Sequence, residues 1–286
     1  MPWRQLLPKI QRKGDTMQKI TYENYTSGMS ITFSNNNPRM FLADFDGNSV
    51  GATAITYKPA DFDGERFISA NMNSRTITFS AEWSVISGGK FSIKGALRKW
   101  EEIQRTFVPG NIGKLTWTNG SQTRFIECRT EELPNFIHKL PFVLKADFKL
   151  VADYPYWQDV AENVYHFPDN PSLKDDIYID NECGIAVPFI LTCSSGEPVL
   201  MRFSDKDSAM IALVEGSPSG PVVIDTRLCT VTVNGELCNQ YLDAKSEFFK
   251  LLPGENWFKL ANLDWSYQPL RNCMMKWHDH YLGVNC

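Results

Sequence analysis

The sequence lacks any stretch near the ~20 consecutive apolar residues that a membrane-crossing helix needs. Its opening, Met1–Asp15, carries charge but no apolar core of signal-peptide length. Histidine is scarce, with four residues: His138, His166, His278 and His280. The seven cysteines (Cys128, Cys183, Cys193, Cys229, Cys238, Cys273 and Cys286) are odd in number, and none has CxxC spacing. That disfavours a disulfide scaffold or a zinc ribbon and suits free thiols acting as small apolar residues in a reducing cytosol. There is no GxSxG for a hydrolase nucleophile, no GxxxxGK[ST] for phosphate, no low-complexity tract and no repeat longer than a hairpin.

What remains is ordinary globular composition, 43% hydrophobic and 22% charged, with aromatics raised to 13%. Aromatic enrichment suits sheets and large interfaces. At 286 residues the chain predicts about two domains, each able to bury its own core. Through Trp157 there are 20 Lys+Arg against 15 Asp+Glu, and beyond it 9 against 18. The basic residues are scattered, so neither half has a nucleic-acid footprint.

Met1–Thr16 is basic and aperiodic, and reads as an N-terminal extension: translation from an upstream start codon, or an arm that orders on a neighbouring subunit. From Met17 the pattern is β. Strands are predicted at Ile20–Glu23, Met29–Phe33, Met40–Asp44 and Thr76–Trp83, where Ile77, Phe79, Ala81 and Trp83 alternate with polar residues. One helix is predicted over Lys94–Phe107, capped by Ser92 and stopped by Pro109-Gly110, with Ala96, Trp100, Ile103 and Phe107 as its apolar stripe. Lys114–Thr118 and Thr123–Arg129 form a hairpin around Asn119-Gly120, and Phe142–Val151 is a half-buried strand. Proline and loss of period at Asp153–Trp157 mark a boundary, and 158–174 reads as a loop-rich linker. Short strands follow at Ala186–Thr192, Val199–Phe203, Ala209–Val214, Val222–Asp225, Cys229–Val233, Glu236–Cys238 and Trp257–Leu260. Asn234-Gly235 makes a tight hairpin among them, the spacing of a β-sandwich or jelly roll.

Candidates for chemistry are few. Ser87-Gly88-Gly89-Lys90 has the glycines of an anion loop without its spacing, and reads as a turn before the helix. His278-Asp279-His280 could place two imidazoles on one strand face for zinc, but reads better as a surface strand or tail. Glu101-Glu102, Glu131-Glu132 and Asp175-Asp176 are sequence neighbours whose side chains diverge, so they make no carboxylate dyad. Trp257, Trp265, Tyr267, Trp277 and Tyr281 could form an aromatic platform for sugar; the alternation around Trp257 and Trp265 assigns those two to the core. No catalytic, cofactor-binding or metal residue is assigned, and the protein reads as a non-enzyme.

The order of the motifs is more informative than any one of them. Ile20-Thr21-Tyr22-Glu23-Asn24 with Gly28-Met29-Ser30-Ile31 resembles the opening of siphophage distal tail (Dit) proteins. So do Asp61-Phe62-Asp63-Gly64-Glu65 followed by the arginine-led strand Arg75-Thr76-Ile77-Thr78-Phe79, then the helix, and then the strand closing at Asp153-Tyr154-Pro155-Tyr156. Val223–Thr226, Val231–Gly235 and Leu251–Asn256 resemble, in order, that family's C-terminal galectin-like domain. The resemblance runs from about Met17 to Leu263.

It implies a mainly β protein: an extension (1–16), a β-sandwich or tail-tube-like ring-forming domain with one helix (17–157), and a galectin-like β-sandwich (158–286). It further implies a virion protein, made and assembled in the host cytoplasm. Six copies would form a ring at the distal end of a long non-contractile tail, with DNA only as cargo through the channel and no membrane insertion. Partners would be the tail tube protein, a tail-associated lysin or tail-tip protein and, as in many relatives, receptor-binding apparatus. The galectin residues for sugar are not matched, so the second half reads as a docking platform. The competing readings are a carbohydrate-binding adhesion module, a tail-associated hydrolase and another tail-tube or baseplate subunit.

Overall fold

The computed structural model describes residues 17–58, 60, 63–87, 90–140, 143–169, 171, 176–203, 208–214, 216–262 and 269–284. Expectations for Met1–Thr16, Asp61-Phe62, Gly88-Gly89, Phe142, Asp175, Trp265, Tyr267 and Cys286 lie outside these residues. The fold is mainly β, as the alternating patterns predict. The chain divides into two compact units, residues 1–155 with 282–286 and residues 156–281.

The first unit contains β1 (Gln18–Asn24), β2 (Ser30–Ser34), β3 (Met40–Asp46), β4 (Ala52–Tyr57), β5 (Arg66–Met72), β6 (Arg75–Trp83), the short β7 (Ile86–Ser87) and β8 (Lys90–Phe91), α1 (Ile93–Thr106), β9 (Ile112–Asn119), β10 (Gln122–Thr130), β11 (Asn135–Leu140) and β12 (Val143–Ala152). Seven strands pair in the order β12-β6-β3-β2-β1-β9-β10. The end of β10 pairs back onto β12 through Arg129–Val151 and Thr130–Leu150, so the sheet closes and hides its edges. β11 pairs with the first half of β12.

Period-2 alternation fills the interior. Ile77, Phe79, Ala81 and Trp83 of β6 are buried, as are Leu144, Ala146, Phe148 and Leu150 of β12, while Thr76, Thr78 and Lys145 face outward. Aromatic rings meet there. Phe107 lies 4.5 Å from Tyr22 and 4.8 Å from Phe148, and Phe79 stacks on Phe148 at 4.4 Å. The helix forms where predicted, with Ser92 Oγ accepting the Gly95 amide at 3.1 Å. A side chain at Gly95 would come within 2.6 Å of Val85 Cγ1, so the helix approaches closely only because that residue is glycine. At the other end Asn24 Nδ2 donates to the Thr106 carbonyl at 2.8 Å, satisfying one of the orphan acceptors of the last turn.

The second unit contains β13 (Trp157–His166), β14 (Ile177–Asn181), β15 (Ile190–Cys193), β16 (Pro198–Phe203), β17 (Ser208–Ala212), β18 (Val222–Asp225), β19 (Thr230–Val233), β20 (Glu236–Leu237), β21 (Gly254–Asn262) and β22 (Met274–Tyr281). Two antiparallel sheets, β13-β22-β15-β18-β19-β20 and β14-β21-β16-β17, enclose one core. Leu191, Ile224, Val231 and Met275 from one sheet meet Ile179, Leu200, Ile211 and Phe258 from the other. The predicted Asn-Gly hairpin is present, with Asn234 and Gly235 both at positive φ (53° and 84°), as a type I′ turn requires.

Three expectations change. The linker expected over 158–174 is, over Trp157–His166, strand β13 paired along β22. Its polar residues concealed it, because the ladder partner lies more than a hundred residues away. The surface strand or tail expected at His278-Asp279-His280 is the end of strand β22, paired there with β13 and with His280 buried, while β15 pairs with β22 only over Met274–Lys276. The C-terminal end, placed by sequence with the second domain, returns to the first unit. There the Val284 amide donates to Asn48 Oδ1 at 2.9 Å, and Gly283 O accepts from buried Arg124.

Candidate assembly interface

Between β3 and β6 the chain leaves the closed sheet and returns as the hairpin β4–β5. Among the described residues the two strands pair only with each other. All six residues of β4 and all but Met72 of β5 are exposed, among them Phe67 (67%), Ile68 (63%) and Tyr57 (58%). Ile68 is the extra residue of a bulge, since Ile55 faces Ser69 while Thr56 faces Phe67. An isolated two-stranded hairpin is marginal in water, and both its edges offer free backbone groups. Apolar residues on such an arm are typical of a surface that is covered in an assembly.

The root of this arm is fixed. Arg75, the first residue after the hairpin's return, is fully buried. Its guanidinium donates to the carbonyls of Gly47 (2.6 Å), Pro155 (2.6 Å) and Leu282 (2.5 Å). One side chain thus ties the hairpin's entry to the segment closing the unit and to the returning C-terminal end. A rigid planar fork suits that task better than an ammonium. Beside it, Asp46 is held below the usual carboxylate range by hydrogen bonds from Ser49 and Asn48, with the Arg75 charge adding to them. The Asn73 amide closes the root on Gly51 O at 2.9 Å. The sequence flagged Arg75 through its motif; the hairpin itself was not among the strands predicted from the sequence.

The other sequence candidates disperse. His278 Nδ1 lies 3.1 Å from Ala161 O. His280 Nδ1 donates to His278 O at 2.7 Å, and burial pushes the imidazole down to about 4. Among the described residues no three His, Cys, Asp or Glu side chains gather as a metal site. Glu102 pairs with Lys99 (2.6 Å), Glu131 with Lys149 (2.7 Å) and Asp176 with Lys259 (3.4 Å), each an ordinary surface ion pair. Cys128, Cys183, Cys193, Cys238 and Cys273 are buried free thiols, and burial raises the Cys183 thiol to about 11. Trp257, expected in the core, is 46% exposed on β21.

Comparison with known proteins follows the same division. Residues 189–278, within the second unit, match the family described as "Siphovirus-type tail component, C-terminal domain". No curated protein sequence matches the chain. Among solved structures, the Dit (gp 19.1) protein of phage SPP1 superposes with a TM-score of 0.63 over 92% of this chain and 99% of its own, at 13% identity. That protein is described as a paradigm of the hub adsorption apparatus in phages infecting Gram-positive bacteria. A chain of the phage p2 baseplate, in its activated conformation with strontium, gives 0.50 over 94% of this chain and 99% of its own, at 8% identity. The chain therefore has a Dit-like fold along nearly its whole length.

Proposed function

We propose that this protein is the hub subunit at the distal end of a long, non-contractile phage tail, six copies closing a ring around the channel through which DNA passes. The first unit builds the ring, its hairpin β4–β5 reaching onto the neighbouring copy. The second, galectin-like unit presents outward as a docking platform for tail-tip and host-adhesion components. The tail tube protein occupies one face of the ring and a tail-associated lysin or tail-tip protein the other.

The observation that carries this reading is the hairpin: an exposed arm displaying Tyr57, Phe67 and Ile68 on a root clamped by a buried arginine. A head-to-tail contact of this kind closes into a ring when the rotation between copies divides the circle. No step of catalysis is invoked, and the role is structural.

Native mass spectrometry and negative-stain electron microscopy test it on the full chain. Hexamers, or stacked hexamers, with a central pore are expected. The double variant Phe67→Ser/Ile68→Ser is expected to run as a monomer with an unchanged circular dichroism spectrum. A wild-type protein that stays monomeric at high concentration overturns the ring, and hexamers unaffected by the double variant overturn the hairpin as its clasp.

A further inference from the structure

The four-stranded sheet of the second unit has one face in the core and one in solvent, and the solvent face is organised in rows. Tyr178 on β14 lies opposite Trp257 on β21, and Trp257 opposite Phe203 on β16. All three are exposed: 42%, 46% and 40%. The Tyr178 and Trp257 rings are 5.2 Å apart. A line of aromatic rings therefore crosses three adjacent strands on the outer face. Apolar rings placed in water with alternation intact are not a packing error; the inward neighbours Ile177, Ile179, Phe258 and Leu200 are buried as they should be.

The rows on either side are polar. On one, Asp180 faces Glu255 directly across the ladder. Like charges opposite one another destabilise a sheet pair, so this row costs stability. Burial raises the Tyr178 hydroxyl above its ordinary range, and the Asp180 and Glu255 carboxylates beside it add to that. On the other side Lys259 lies over the Phe203 ring, 5.6 Å from its centroid, and ion-pairs with Asp176 at 3.4 Å. Met201, half-buried, continues that row opposite Lys259.

We propose that this face binds an uncharged carbohydrate, a hexose or N-acetylhexosamine chain laid along the Tyr178–Trp257–Phe203 line. The flat aromatic line takes the apolar C–H face of pyranose rings. The Asp180–Glu255 row and Asp176 accept hydrogen bonds from hydroxyls, and Lys259 donates to ring or hydroxyl oxygens. The charges select the class of ligand: three carboxylates against one ammonium repel phosphate-rich polymers and nucleic acid. A protein partner is disfavoured by shape, because the exposed apolar surface is one ring wide between charged rows. A stable protein interface needs about 800 Å² per side with an apolar centre. The site stands whether or not the hub ring forms, since all its groups lie within one sheet.

The test uses the full-length protein with a panel of uncharged hexose, 6-deoxyhexose and N-acetylhexosamine oligosaccharides, followed by isothermal titration and tryptophan fluorescence. Wall teichoic acid serves as the anionic contrast. At least one uncharged glycan is expected to bind and to perturb Trp257 emission. Trp257→Ala, at an exposed position that leaves the core intact, should weaken binding at least tenfold, and Phe203→Ala should weaken it less. The proposal fails if no uncharged glycan binds at millimolar concentration, if Trp257→Ala binds as tightly as the parent, or if teichoic acid binds in preference. It also fails if Trp257→Ala changes the oligomeric state rather than glycan affinity, because the face would then be covered by a second copy of the chain.

Discussion

The two units solve the same problem, a mainly β chain with apolar surface to hide, in opposite ways. The first closes its sheet on itself and fills the interior with rings: Tyr22, Phe33, Phe79, Phe107 and Phe148. The most exposed of its described large apolar residues, Phe67 and Ile68, stand on a hairpin outside the closed sheet. The second leaves two sheets open and packs them with Val, Ile, Leu and Cys, adding Phe189, Phe249 and Phe258. Its exposed rings Tyr178, Trp257 and Phe203 stand on the flat face of a sheet, where ladder pairing holds each in place. An exposed arm suits a contact completed by another protein; a fixed flat face suits a ligand that must find its groups already placed.

That contrast can be broken at its anchors. Arg75 is the largest lever, because replacing it by Met strands three buried carbonyls at about 1–3 kcal/mol each. Calorimetry of Arg75→Met should show the first unit's transition lowered by roughly 3–5 kcal/mol with the second unit's unmoved. A uniform drop would mean that the units do not unfold separately. Arg75→Lys should recover only part of the loss, since an ammonium cannot span three carbonyls in a plane.

Acid should act on the other unit. His280 is held to about 4 in the folded chain by burial, against 6.5 as its ordinary value. The unfolded chain therefore binds the proton first. Stability is full above pH 6.5, declines as pH falls, and the whole contribution is gone by about pH 4, roughly 3 kcal/mol in total. Urea titrations from pH 7 to 4.5 should show that slope in the second unit and a flatter one in His280→Gln. An unchanged slope would assign the acid sensitivity to carboxylates.

Smaller effects sharpen the picture. Gly95→Ala sets a methyl against Val85 and should cost about 1–3 kcal/mol through overpacking, despite the better helix propensity of Ala. The hairpin pair Phe67→Ser/Ile68→Ser should change monomer stability by no more than about 0.5 kcal/mol, as thermal melts at low concentration would reveal. A large loss there would mean that the arm is part of the fold rather than a contact surface.

Where one strand's own residues carry the signal, the sequence was sufficient. The alternation in β6 and β12, the helix between Ser92 and Phe107, and the Asn234-Gly235 turn all follow from periods of 2 and 3.6 and from caps and turn residues acting over a few positions. The ordered motifs carried the tail-component likeness for the same reason. β13 was invisible because a polar strand becomes a strand only through its partner, here β22. Trp257 was misplaced because a neighbour-by-neighbour pattern gives the period of burial and not always its phase.

Local chemistry thus determined the β-rich character of both units and the helix between Ser92 and Phe107. Tertiary structure alone decided which apolar residues stay outside. A residue's exposure depends on whether another strand, distant in sequence, arrives to cover it. Among the described residues no strand covers Phe67 and Ile68, or Tyr178, Trp257 and Phe203.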